Sequence, residues 1–196
     1  MWIEPVTLNG RHVTLVQLTH EHLNDLCEAT ADGALHRLWY TLIPAPDQMA
    51  EEIDRRLALQ ASGSMVPFAV LDRQGKAVGM TTYMNIDAPN RRLEIGSTWY
   101  RASVQRSAIN SECKLLLMRH AFEAREAIAV ELRTHVMNYK SRQAIERLGA
   151  KLDGILRSHM IMPNGTLRDT AVYSITAAEW LTVRANLRWQ LDTPRD

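Results

Sequence analysis

Between Leu93 and Ala150 the chain reads strand, polar loop, long helix, strand, short helix, and this run constrains the fold more than any other stretch. Leu93-Glu94-Ile95-Gly96-Ser97-Thr98-Trp99-Tyr100 has strand character and leads into the loop Gln105-Arg106-Ser107-Ala108-Ile109-Asn110. A helix is expected over Asn110 to Glu126, where Leu115, Leu116, Met118, Ala121 and Phe122 are apolar. Val130, Leu132, Thr134 and Val136 alternate with Glu131, Arg133 and His135, the period of a strand. Ser141 to Leu148 follows as a helix, with Gly149 where helices often end. A loop that opens into a helix start offers unpaired N–H groups and the positive end of the helix dipole, which suits a phosphate or pyrophosphate. Every strand-to-helix turn shares that geometry, so alone it assigns nothing.

The flanks complete the pattern. Arg11 to Leu18 reads as a first strand, Thr19 as the cap of a helix carrying Leu23, Leu26 and Cys27, and Asp47 to Gln60 as a second helix. Met65 to Leu71 and Ala77 to Asn85 flank Asp72-Arg73-Gln74-Gly75 as a hairpin. Asp87-Ala88-Pro89-Asn90 turns the chain into Arg91 to Tyr100. Ala150 to Ile161 and Leu167 to Ile175 flank Pro163-Asn164-Gly165 as another hairpin, and Trp180 to Leu191 closes as a helix. The order is β-α-α-β-β-β-α-β-α-β-β-α. It predicts an α+β fold, a mixed sheet flanked by helices. At 196 residues, with no repeat or linker, a single domain over 1–196 is expected.

Composition removes several functions. Lys plus Arg number 23 against 22 acidic residues, so net charge gives no footprint for nucleic acid or an anionic membrane. No stretch approaches the ~20 apolar residues of a membrane span. The N-terminus shows no leader pattern, and a cytoplasmic protein is expected. Cys27 and Cys113 read as two reduced thiols, and no spacing among the seven histidines suggests a metal site. No G-x-G-x-x-G or Walker pattern follows a strand.

The ordered set of motifs carries a resemblance. The loop after Tyr100, Asn138-Tyr139-Lys140-Ser141, the helix ending Arg147-Leu148-Gly149-Ala150 and the following hairpin resemble the GNAT N-acetyltransferase superfamily. The branch that looks most similar contains the ribosomal-protein N-terminal alanine and serine acetyltransferases. Leu8-Asn9-Gly10-Arg11-His12-Val13 and Thr170-Ala171-Val172-Tyr173-Ser174 resemble that branch's two ends. The resemblance implies a twisted, mostly antiparallel mixed sheet splayed at its centre, with acetyl-CoA as co-substrate in the cleft and no metal. Backbone groups of Thr98, Trp99 and Tyr100 would pair with the pantetheine arm. Amides of Gln105, Arg106, Ser107, Ala108, Ile109 and Asn110 would hold the pyrophosphate, and Asn138 the pantetheine amides. Two departures stand out. Ala108 and Asn110 occupy positions that are usually small, the second read as tolerating positive φ. Ile145 stands where many members carry a tyrosine that protonates the departing thiolate.

Within that frame Glu94 is the candidate general base, since an ammonium cannot attack a thioester until it loses a proton; its bland reading is a solvated or salt-bridged strand residue. Ser141 is the candidate donor to the leaving thiolate, or equally the N-cap of the next helix. Trp39, Tyr40 and Met84 are assigned to the acceptor pocket, with Trp99 a further candidate, although large apolar residues are more often core. Cys113, expected in the first helical turn, would have a lowered pKa there, yet attack without an acyl-enzyme is expected. The expected partner is an amine-bearing small molecule or a protein N-terminus, with neither nucleic acid nor membrane. Trp180, Leu181, Leu187, Trp189 and Leu191 suggest a homodimer through the last helix. The competing reading is a non-catalytic CoA-binding or protein-interaction module of the same fold.

Overall fold

The computed structural model describes residues 2–193. Met1 and residues 194–196, part of the expected 1–196 domain, lie outside that range. The first paired residues are a two-residue strand β1 (Leu8–Asn9) and β2 (Thr14–Gln17), joined by a turn at Gly10. The turn is pinned from below. The Glu112 carboxylate accepts the backbone N–H groups of Arg11, His12 and Val13 at 2.8, 2.5 and 2.9 Å, and a Cβ at Gly10 would stand 2.6 Å from that carboxylate. β1 was not legible because two residues carry no period.

Helices α1 (Leu23–Ala31) and α2 (Met49–Ala61) follow, and then the meander β3 (Met65–Leu71), β4 (Ala77–Asp87) and β5 (Arg92–Tyr100). Helix α3 (Ala108–Arg119) ends in one π-helical turn, His120–Ala124, so the long helix expected to Glu126 is interrupted. Then come β6 (Ala129–His135), α4 (Tyr139–Arg147), β7 (Lys151–Ile161), β8 (Leu167–Thr176) and α5 (Ala177–Asp192). The eight strands form one sheet in the order β1-β2-β3-β4-β5-β6-β8-β7. Every neighbouring pair is antiparallel except β5 and β6.

The two faces are covered unequally. Helices α3, α4 and α5 pack on one face, where Leu93, Ile95, Val130, Leu132, Tyr173 and Ile175 meet Leu117, Ile145, Leu148, Trp180 and Leu187. On the other face a second cluster of Leu26, Ile53, Met80 and Trp99 seats α1 and α2 over the β2–β5 half. Trp99 is therefore core rather than pocket lining. Trp180 and Leu187 are buried as well, so the apolar surface expected for a dimer shrinks on α5 to Leu181 and Trp189, each 65% exposed. Among the described residues no helix is long and apolar enough to cross a membrane.

Candidate active site

The sheet opens at Glu94. β5 and β6 pair only through Arg92 with Ala129, Leu93 with Val130 and Glu94 with Glu131. Beyond that point β6 stays with β8 as far as His135, while β5 stays with β4 as far as Tyr100. The edge of Ile95–Tyr100 that faces β6 consequently has no partner strand. A bulge sharpens the divergence. Between the pairs Thr82–Gly96 and Met80–Trp99, β5 carries two residues against one in β4, and Ser97 takes the left-handed φ of 47°.

Glu94 sits at the fork and is 6% exposed. Its carboxylate is not solvated, but it is ion-paired with Arg133, as the salt-bridged form of the bland reading has it. Asn85 Nδ2 donates to its Oε2 at 2.7 Å, and Arg133 Nε lies 3.5 Å from the same oxygen. Gly96 makes room for the carboxylate: a Cβ there would stand 2.6 Å from Glu94 Oε1 and 2.8 Å from Met84 Sδ. Burial raises the Glu94 pKa above its ordinary value, against the opposing pull of the Asn85 hydrogen bond and of Arg133. A buried carboxylate with a raised pKa in a cleft is a candidate proton acceptor.

Beneath the fork is a residue the sequence reading missed. Lys114, buried on α3, donates from Nζ to Thr98 Oγ1 at 2.8 Å, and Thr98 Oγ1 is 2.8 Å from Thr81 Oγ1. Burial lowers its pKa to about 8, with Cys113 and Glu94 opposing. Above the fork, Trp39 packs edge-on against Tyr40 and His135, with ring centroids 5.6 and 5.3 Å apart. Met84 flanks Gly96. Trp39 and Tyr40 thus stand on the β6 side and Met84 on the β4 side.

The loop before α3 differs in detail from expectation. α3 begins at Ala108, because Ser107 caps it by accepting the Ile109 N–H at 3.3 Å and donating to Val104 O at 2.6 Å. Asn110 is therefore inside the first turn, and the left-handed residue is Arg106 at φ 61°. Gln105 Nε2 donates to Tyr100 O at 3.0 Å, and Asp32 takes Arg101 Nε and the Ser103 hydroxyl at 2.9 and 2.6 Å. A depression of about 300 Å³ lined by His12, Arg73, Ser107 and Ala108 opens beside the start of α3, toward the β3–β4 turn rather than the fork. The earlier helix start puts Cys113 beyond the first turn, buried against Tyr100. Burial raises its pKa, opposite to the lowering expected at a helix start.

On the far side of the fork the cap of α4 is Asn138, whose Oδ1 accepts the Ser141 N–H at 3.1 Å. Ser141 is not the cap. It is the third helical residue, half-buried, and its hydroxyl has no hydrogen bond among the described residues. Ile145 is buried in the core. Gly96, Asn85 and Arg133 are also site residues that sequence reasoning did not find; the alternation of Glu131, Arg133 and His135 on one face of β6 hinted at Arg133 alone.

Residues 12–151 match the Acetyltransferase (GNAT) domain. The chain belongs to the GNAT acetyltransferase family. Among GNAT relatives, YdaF of Bacillus subtilis (strain 168), a protein named for ribosomal N-acetyltransferase activity, is 33% identical over 106 residues, 54% of this chain. That match spans 57% of YdaF. A GCN5-related N-acetyltransferase from Brucella melitensis superposes with a TM-score of 0.86 at 29% identity, covering 97% of this chain and 87% of that one. RimJ of Mycobacterium smegmatis, solved with CoA-disulfide, gives a TM-score of 0.80 at 20% identity over 95% of each chain, a likeness of fold. The expected sheet, splayed at its centre, is the GNAT fold these neighbours share. Among the described residues no group of His, Cys, Asp or Glu is disposed to hold a metal ion.

Proposed function

We propose that this GNAT chain transfers the acetyl group of acetyl-CoA to a primary amine, a protein N-terminus or a small amine, by direct attack. The observation that carries the reading is the buried Glu94 carboxylate at the point where the sheet forks. Acetyl-CoA would lie in the fork, its pantetheine arm along the unpartnered edge of Thr98, Trp99 and Tyr100 and near Asn138. The pyrophosphate would meet the loop Gln105–Ile109 and the first turn of α3 through Asn110, where backbone N–H groups lack intrahelical acceptors.

Glu94 takes a proton from the incoming ammonium, directly or through water, and passes it to solvent. The amine nitrogen then forms the C–N bond at the thioester carbonyl carbon, and the C–S electron pair leaves on sulfur. The second amine proton neutralises that sulfur. The unbonded hydroxyl of Ser141 is the proposed donor, and Lys114 is a second group able to carry a proton at its pKa of about 8. Cys113, buried with a raised pKa, is a poor nucleophile, in keeping with a reaction that has no acyl-enzyme.

Titration calorimetry with CoA, followed by a panel of peptides and small amines read by mass increase, tests the proposal. Saturable CoA binding together with acetylation of a panel member is expected. CoA binding without transfer to any amine would favour the non-catalytic module, and absence of CoA binding would remove both.

A further inference from the structure

The face of β6 and β8 turned away from α3, α4 and α5 carries Glu131, Arg133 and His135 on one strand and Arg168 and Thr170 on the other, with His135 paired opposite Thr170. The ionic groups near the fork are mostly committed to one another. Glu131 takes Arg92 Nη2 at 2.8 Å and Arg133 Nη2 at 2.7 Å, and Arg133 also reaches Glu94. Arg168 is different. It is half-buried, its Nε donates to Thr170 Oγ1 at 2.9 Å, and no carboxylate among the described residues lies within ion-pair distance of it. The Thr170 bond holds the side chain forward along β8 toward the fork, close enough to Glu94 for each to shift the other's pKa.

His135 adds a second donor. Its Nδ1 accepts the Met137 N–H at 3.1 Å, which places the ring proton on Nε2. That Nε2 is buried without a hydrogen-bond partner, on a side chain belonging to a residue 3% exposed. The His135 Nε2–H, which lacks an acceptor, and the Arg168 guanidinium, which lacks a carboxylate, thus lie on one face, with His135 under Trp39. Leaving the buried His135 donor unpaired is costly, and an anion would accept from it while pairing with Arg168.

We infer that the acceptor carries a carboxylate near its amine, bound by Arg168 and His135 so that the amine is presented to Glu94. This inference rests on the acetyltransferase reading. The shared chemistry is an amine with a neighbouring carboxylate, supplied either by a free α-amino acid with an apolar side chain against Trp39 and Tyr40, or by a peptide N-terminus followed by an acidic residue. Arg168 selects the substrate, whereas Glu94 handles the proton.

The experiment compares kcat/KM for phenylalanine, phenylalaninamide and phenethylamine, and for tetrapeptide amides beginning Ser-Glu and Ser-Gln. Wild type, Arg168→Gln and Arg168→Lys are assayed with saturating acetyl-CoA. In one of the two series the carboxylate-bearing acceptor should be preferred ~10²-fold, as expected where buried donors are left unpaired by the neutral analogue. Preference in the first series identifies a free amino acid, and in the second an acidic peptide N-terminus. Arg168→Gln should abolish the preference by slowing only the charged acceptor, and Arg168→Lys should keep part of it. Equal wild-type rates for charged and neutral acceptors would overturn the inference while leaving the acetyltransferase reading intact. So would an equal loss on both in Arg168→Gln, because Arg168 would then act through Glu94 alone. Failure to acetylate any of the five acceptors would count against both.

Discussion

Glu94 shows how a catalytic assignment and a stability cost meet in one side chain. Its folded pKa is raised by burial, so the protonated form is favoured in the fold and the ionised form is penalised. Stability from this group is complete below the unfolded carboxylate pKa and is lost as pH rises through the raised folded value. Glu94→Gln should therefore be more stable than wild type at pH 7 by thermal melting, while kcat falls by the ~10²–10⁴-fold typical of losing a general base. The acidic limb of the pH–rate profile should flatten with it. Equal melting temperatures and an unchanged profile would place Glu94 outside the chemistry. Lys114 gives a separable signal. Its pKa lies near 8 in the fold against 10.5 in the open chain, so stability should rise with pH across that interval. Lys114→Met should remove that rise, read as the difference between the two proteins' melting curves at pH 7.5 and 9.5. Glu94 was legible because Leu93 and Ile95 flank it in a strand. Lys114 was not, because a charged residue on a helix reads as solvated until the helix's buried face is known.

At the level of elements, the decisive features are ends and turns. Asn138 rather than Ser141 caps α4, so Asn138→Ala should cost about 1 kcal/mol in denaturant titration, the usual worth of a cap. Ser141→Ala should leave stability unchanged, and any loss of kcat it shows then reports on chemistry. Glu112 ties the Gly10–Val13 turn to α3 through three backbone N–H bonds. Glu112→Ala leaves those donors inside the protein, and a loss of ~3 kcal/mol or more is expected. Strand and helix identities were readable from period, whereas boundaries were not. The Asn110 start was two residues late because Ser107, an ordinary loop serine in sequence, proves to be the cap. The π turn at His120 leaves no mark in an apolar pattern that continues through Phe122.

For the whole molecule, the fork follows from two strands that each keep a better partner. β4 holds β5 through the bulge at Ser97, and Gly79 allows the close approach, since a Cβ there would stand 2.1 Å from Trp99 O. β8 holds β6 along its full length. α1 and α2 cover only the β2–β5 half of their face. The motif order made this arrangement legible through its likeness to a known superfamily. The basic face opposite β5 was not, because Arg168 and His135 lie 33 residues apart and only strand pairing brings them together. We propose that Glu94 activates an amine for direct attack on acetyl-CoA. Steady-state kinetics of wild type and Glu94→Gln with one acetylated acceptor, varied in both substrates, test it most directly. Intersecting initial-velocity lines are expected, with kcat lowered in Glu94→Gln while CoA affinity is nearly unchanged. Parallel lines, or a Glu94→Gln enzyme with wild-type kcat, would contradict it.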